Sequence, residues 1–185
     1  NARRMFMGEA HMIGKLQHPN IVPIYDAGEE DGRRYVVTEH IHAARTLSVY
    51  CRPGSLLPVD QVLQIVYKCA KALHYAHSRG VVHRDIKPSN ILMEGRNPVL
   101  IDFGLARLAD DPRLTAQGWV LGTPGYLAPE ILHGEDAAPA SDIHSWAATV
   151  AYAGTGRAPF GSGPSMAIMD RVRRGEHDVS ELPEE

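Results

Sequence analysis

Only two of the 185 residues are cysteine, Cys51 and Cys69, too few for the disulfide framework that small secreted domains rely on. This usage fits a reducing compartment, and the expected location is cytoplasmic, or the cytoplasmic side of a membrane-anchored parent protein. No apolar run approaches the roughly 18 residues of a membrane-spanning helix, and no leader-peptide pattern opens the chain. Charge of one sign is scarce: 19 basic against 22 acidic residues leave a formal net charge of -3. That balance gives no global positive field, so nucleic acid and anionic lipid are not expected partners. Internal repeats and low-complexity tracts are missing, which removes the solenoid and disordered classes. The 44% hydrophobic and 22% charged content is instead globular, and the length suits one domain or slightly more. Because the first residue is Asn1, the chain is expected to be a segment of a longer protein.

Arg3 to Gln17 reads as a helix. On a wheel of about 100° per residue from Phe6, Ile13 falls near about -20° and Leu16 near about -80°, forming one apolar arc. Glu9 falls inside that arc at about -60°, so it must sit at the edge or meet a cation, because burying a lone carboxylate is costly. His18-Pro19-Asn20 stops the helix. Ile21–Tyr25 and Tyr35–Glu39 read as two strands of a hairpin around a turn at residues 28–32. Val59–Ser78 carries Leu63, Val66, Tyr67, Ala70 and Leu73 at helical spacing, with Gly80 as its C-cap. A short apolar segment, Val81-Val82, leads into a polar cluster at His83. Asp102–Glu130 is rich in turn formers, and Ser141–Thr155 returns to helix with Ser141 as the expected N-cap.

The chemistry concentrates at His83-Arg84-Asp85-Ile86-Lys87-Pro88-Ser89-Asn90, followed twelve residues after Asn90 by Asp102-Phe103-Gly104. Between them, Ile91-Leu92-Met93, a turn at residues 94–97 and Pro98–Ile101 imply a strand, a turn and a strand. A hairpin there returns the Asp102 carboxylate to the neighbourhood of the Asn90 amide. Two hard oxygen ligands of this kind suit Mg²⁺, which completes its shell with phosphate and water. Asp85 and Lys87 add a carboxylate and a cation on the same loop. Phosphoryl transfer asks a protein for a proton acceptor, positive charge and metal-bridged phosphates, held in place.

These residues resemble the signature of eukaryotic-type serine/threonine protein kinases, and Gly122-Thr123-Pro124-Gly125-Tyr126-Leu127-Ala128-Pro129-Glu130 resembles the family's peptide-positioning segment. The resemblance implies an α+β, protein kinase-like two-lobed fold with residues 1–40 a partial N-lobe (the αC helix and a β-hairpin) and 41–185 a mostly helical C-lobe lacking its last helices. It implies ATP and Mg²⁺ as cofactors and proteins bearing Ser or Thr as substrates, with homodimerisation for autophosphorylation. Carried over by residue, it makes Asp85 the base, places metal on Asn90 and Asp102, and has Lys87 steady the γ-phosphate. Glu9 would pair with a lysine on the strand preceding it. Glu39 and Ile41 would bind adenine through their backbone, Thr38 would guard the back pocket, and Leu92 would line the nucleotide site. Lys87 and Thr123 match the serine/threonine branch. Arg84 and Arg107 would hold a phosphorylated activation segment, with Thr115 the candidate acceptor and Thr123 a second regulatory position. Asp142 would anchor the 83–90 loop, and Ile13, Ile24, His83 and Phe103 would form an internal apolar stack.

The family's Gly-x-Gly-x-x-Gly loop and Val-Ala-Ile-Lys strand do not precede Glu9, and the arginine that pairs with the family's glutamate at position 130 is missing. The isolated segment is therefore expected to be weakly stable and slow. A non-catalytic kinase-like scaffold and a small-molecule phosphotransferase are the competing readings. The four residues Asp85, Lys87, Asn90 and Asp102 argue against the first, and the 122–130 segment argues against the second. His74 and His77 are expected to pack rather than bind metal, and Arg171-Val172-Arg173-Arg174 to be a solvated helix face.

Overall fold

Residues 2–104 and 123–182 are described by a computed structural model. Helix α1 (Ala2–Gly14) buries Phe6, Ala10 and Ile13, spaced at i, i+4 and i+7, which is one face of an α-helix. Strands β1 (Ile24–Glu30) and β2 (Arg33–Thr38) follow as an antiparallel hairpin. The sequence places the turn too broadly, at 28–32, and starts the first strand too early. Asp31 and Gly32 alone make the turn, with φ of 49° and 72°, as a two-residue hairpin loop requires, so Gly28 to Glu30 stay in the ladder. Ile21 instead makes a single parallel bridge with Leu100.

Strand β3 (Arg45–Thr46), β4 (Ile91–Glu94) and β5 (Asn97–Leu100) form a second sheet in the order β3-β4-β5. Its β4–β5 hairpin pairs Ile91 with Leu100 and Glu94 with Asn97, the fold expected from the turn between Asn90 and Asp102. A short helix α2 (Leu47–Tyr50) leads to the long helix α3 (Val59–His77). Its buried face is Val62, Ile65, Cys69, Ala72, Leu73 and Ala76, whereas Leu63 and Tyr67 are exposed. The apolar periodicity identifies the helix but misplaces its inner face, because Cys69, Ala72 and Ala76 do part of the packing. The helix ends as expected at Gly80, whose φ is 72°. Gly80 N–H donates to His77 O and Val81 N–H to Ala76 O, the two bonds of a Schellman motif.

Helices α4 (Pro129–Leu132), α5 (Pro139–Thr155) and α6 (Ser165–Arg174) complete the described chain. Ser141 is not the N-cap of α5. Pro139 opens the helix, as its fixed φ allows, and Ser141 sits in the first turn where its Oγ accepts the Ala138 N–H at 3.2 Å. Gly156 ends α5 with φ 71°, and a Cβ there would stand 2.8 Å from Pro53 N. Only glycine meets both constraints.

One apolar cluster joins Phe6, Ala10 and Ile13 of α1, the inner face of α3, Ile86, Ile91, Leu100 and Phe103. Full burial of such Leu and Ile side chains contributes about 1.5–3 kcal/mol each. The 83–104 region is thus laid directly on the core, which fixes its polar groups in place. Cys51 and Cys69 are free and buried. Among the described residues no helix is long and apolar enough to cross a membrane.

Candidate active site

The turn that follows Ile86 is set by Pro88, which opens a short 3-10 helix over Pro88–Asn90. This turn points Asn90 back at Asp85: Asn90 Nδ2 donates to Asp85 O at 2.8 Å and to Asp85 Oδ2 at 2.8 Å. Lys87 Nζ lies 3.0 Å from the same carboxylate oxygen. With Oδ2 engaged twice, Asp85 Oδ1 is the oxygen left to accept a proton, and with its amide nitrogen engaged, Asn90 presents its Oδ1. Ile101 N–H donates to Asn90 O at 3.0 Å, extending the β4–β5 ladder by one step and bringing Asp102 to the same end of the hairpin. Asp102 is exposed, with φ 54°, a left-handed backbone that costs a non-glycine residue about 1 kcal/mol or more.

His83 holds this geometry from beneath. It is fully buried, its Nδ1 accepts the Asp85 N–H at 3.2 Å, and its Nε2 lies 3.0 Å from Ile101 O. The ring therefore carries its proton on Nε2 and is neutral, and burial lowers its pKa from the usual 6.5. Phe103 packs on it with ring centroids 4.3 Å apart. Gly104 N–H donates to His83 O at 2.7 Å, and a Cβ on Gly104 would come within 2.9 Å of His83 O. The loop and the 102–104 turn are locked together.

From the other side, Asp142 of α5, 1% exposed, receives three donors. Its Oδ2 accepts His83 N–H at 2.7 Å and pairs with His77 Nε2 at 2.7 Å, and its Oδ1 accepts Arg84 N–H at 2.8 Å. These bonds sustain Arg84 at φ 72°, the second left-handed non-glycine position of the site. The geometry therefore matches the anchoring role that the resemblance implies for Asp142. It corrects the reading of the two α3 histidines as packing residues, since His74 is exposed and His77 is a polar partner of Asp142.

A kinase lineage follows from this arrangement and from comparison with known proteins. The protein kinase domain model matches residues 1–183. The chain belongs to the protein kinase domain family. Relatives include the serine/threonine-protein kinases PknD of Mycobacterium tuberculosis (39% identical over 159 residues, 85% of this chain and 24% of the relative) and PknA of the same species (38% over 175 residues, 91% and 40%). PknB of Mycobacterium leprae is 35% identical over 175 residues, 91% of this chain and 28% of the relative. The chain thus spans less than half the length of these relatives. The crystal structure of a cysteine-to-alanine mutant of the Mycobacterium tuberculosis PknI kinase domain superimposes with a TM-score of 0.70 at 30% identity, covering 94% of this chain and 66% of that one. The α1, β1–β2 unit and the helical remainder correspond to the two-lobed kinase fold.

Within that fold, the structure brings Asp85, Lys87 and Asn90 into one hydrogen-bonded group with Asp102 at the adjoining hairpin end. Glu9 forms an ion pair with Arg84, both side chains partly exposed, which supplies a cation for a carboxylate on an apolar arc. Arg107 and Thr115 lie outside the described residues. Thr38 is exposed at the end of β2 and its Oγ1 donates to Glu39 O at 3.3 Å. Glu39 N–H donates to Pro23 O at 3.0 Å, and Ile41 is half-buried in the following loop. Leu92 sits in β4 opposite Thr46 and Val99. Thr123 is exposed, directly before a short 3-10 helix (Pro124–Tyr126). Of the internal stack, Ile13, His83 and Phe103 are buried, while Ile24 is half-buried against the core. Glu130 does have a partner: Ser141 Oγ donates to its Oε1 at 2.7 Å. Neither this bond nor His77–Asp142 is legible in sequence, because the latter joins residues 65 apart with no motif linking them.

Proposed function

We propose that the protein transfers the γ-phosphoryl group of ATP to Ser or Thr hydroxyls of proteins, with residues 1–40 belonging to the N-lobe and 41–185 to the C-lobe. The observation that carries this reading is the Asn90 amide and the Lys87 Nζ both on Asp85 Oδ2, which leaves Asp85 Oδ1 as the oxygen not held by either. Asp85 Oδ1 accepts the proton of the attacking hydroxyl, while Lys87 Nζ supplies positive charge next to it, the positioning and electrostatic work such a reaction needs. The donor set fits Mg²⁺: an amide oxygen at Asn90 and a carboxylate at Asp102, both hard ligands, would hold the ion. When bound, Mg²⁺ would neutralise charge on the phosphates.

Adenine recognition falls to the backbone near Glu39 and Ile41, with Thr38 and Leu92 bordering the site. Thr115 and Thr123 are the candidate regulatory positions, and a homodimer is the arrangement that would let one copy phosphorylate the other. The test uses the full-length protein with Mg²⁺ and γ-labelled ATP on a protein substrate, beside Asp85→Asn and Asp102→Ala. Label on Ser or Thr that falls by two or more orders of magnitude in both variants is the expected result. Label on a small molecule only, or equal labelling by Asp85→Asn, would overturn it.

A further inference from the structure

The loop between α1 and β1 attaches to the second sheet at one point. Asn20, 5% exposed, donates from Nδ2 to Asn97 Oδ1 at 2.9 Å and to Pro98 O at 2.8 Å. Lys68 Nζ of α3 reaches the same Asn97 Oδ1 at 3.2 Å, and Asn97 Nδ2 donates to Pro19 O at 3.3 Å. The backbone continues the junction, with Leu100 N–H donating to Asn20 O at 2.8 Å and Val22 N–H to Leu100 O at 3.0 Å. Asn97 thus joins three segments: the loop below α1, the strand whose end carries Asp102, and helix α3.

Each partner has a reason to be there. Asn20 is buried, so its amide hydrogens must find acceptors or cost about 1–3 kcal/mol. An amide carbonyl can receive two donors, and one of them here is a cation, which strengthens the bond. Nothing in the hairpin's own ladder requires asparagine at position 97, since Glu94↔Asn97 is the ordinary closing pair of β4 and β5. The side chain is spent wholly outside its own sheet.

We infer that Asn97, supported by Lys68, is a positioning residue that sets the register between the 15–23 loop and the β5 strand, and through it the placement of Asp102 relative to Asn90. Asp102 lies two residues beyond Leu100, the residue clasped by Asn20 O and Val22 N–H, so slack at the junction is delivered to the carboxylate. The inference rests on the kinase reading for its catalytic consequence and on hydrogen bonding alone for its structural one. Aspartate at position 97 retains the acceptor function toward Asn20 and Lys68 but loses the donor to Pro19 O, whereas alanine removes all three bonds.

The experiment compares full-length wild-type protein with Asn97→Ala, Asn97→Asp and Lys68→Gln. Two readouts are taken: amide hydrogen exchange at Val22, Leu100 and Ile101, and the Mg²⁺ concentration for half-maximal phosphoryl transfer with the peptide KM alongside. Asn97→Ala is expected to speed exchange at the three amides about tenfold and to raise the half-saturating Mg²⁺ several-fold with the peptide KM unchanged. Asn97→Asp, which keeps the acceptor toward Asn20 and Lys68 but not the donor to Pro19 O, restores most of both, and Lys68→Gln gives an intermediate change. Unaltered exchange in Asn97→Ala would overturn the structural part. Faster exchange with unaltered Mg²⁺ dependence in an active protein, or an equal rise in peptide KM, would overturn the positioning role. An inactive wild-type protein would instead refute the kinase reading, leaving the exchange result to decide the junction.

Discussion

Arg84, on the loop that carries Asp85, closes onto Glu9 of α1 and so ties the N-lobe helix to the centre of the site. The pair resolves the problem that Glu9 poses in sequence, a carboxylate on an otherwise apolar arc. It also uses a guanidinium whose backbone is already fixed by Asp142, so little further ordering is needed to form it. With side chains 26% and 19% exposed, solvent still screens the interaction, and its worth is about 1 kcal/mol. A double-mutant cycle on urea stability with Glu9→Gln and Arg84→Gln is expected to return a coupling of that size. Additive losses would show the two residues to act independently.

Asp142 is the more heavily used carboxylate. It is buried among three donors, and replacing one oxygen by an amide turns an acceptor into a donor facing a donor. Asp142→Asn is expected to cost about 3 kcal/mol of unfolding free energy and to lower kcat more than peptide KM, because the His83 and Arg84 amides, and with them the left-handed backbone at Arg84, lose their support. His77→Gln, which removes one of the three partners, should cost about 1 kcal/mol. Urea titrations of the two variants order the effects, and equal losses would contradict the role assigned to the His83 and Arg84 amides.

The parts of this arrangement that sequence reveals are those set by local chemistry. Pro88, the 94–97 turn and the strand-forming residues on each side are enough to bring Asn90 and Asp102 to one end of a hairpin, and Gly80 announces the end of α3. Where several local signals compete, the reading fails in detail: the stretch from Gly28 to Gly32 contains more turn formers than the hairpin uses, since Asp31 and Gly32 suffice. The inner face of α3 is misjudged because small residues, Ala72 and Ala76, pack more closely than Leu63 and Tyr67 can. Partners far apart in the chain stay hidden. Arg84 for Glu9, Ser141 for Glu130, His77 for Asp142 and Asn97 for Asn20 are all products of tertiary packing, and no spacing rule encodes them.

Both cysteines should behave as inert core residues. Burial pushes the Cys51 thiol up to about 11 and Cys69 up to about 12, so the reactive thiolate is almost absent at neutral pH. Native protein at pH 7.5 is expected to react with a disulfide reagent such as dithionitrobenzoate at least a hundredfold more slowly than the same protein in 6 M guanidinium, where two thiols per chain titrate promptly. A rapid native reaction at either site would place that thiol outside the core.

Acid should loosen the site before it protonates the carboxylates in bulk, and His83 is the reason. Its Nδ1 accepts the Asp85 N–H, so a second proton on the ring would break that bond and place a charge in the core. Burial outweighs the nearby acids Asp142, Asp85 and Asp102, and the folded pKa lies below the usual 6.5. Between those two values the unfolded chain binds a proton that the folded chain refuses. The stability contributed by the neutral ring is therefore complete above pH 6.5 and is lost as pH falls below it, at about 1.4 kcal/mol per pH unit. His18 and His144 are lowered by burial too, which adds slope of the same sign. His83→Phe keeps a ring against Phe103 but cannot titrate. It is expected to be less stable than wild type at pH 7.5 and to lose less stability on going to pH 5.5, as measured by urea unfolding at each pH. Parallel profiles for the two proteins would mean that His83 takes up its proton in the folded state as readily as in the unfolded one.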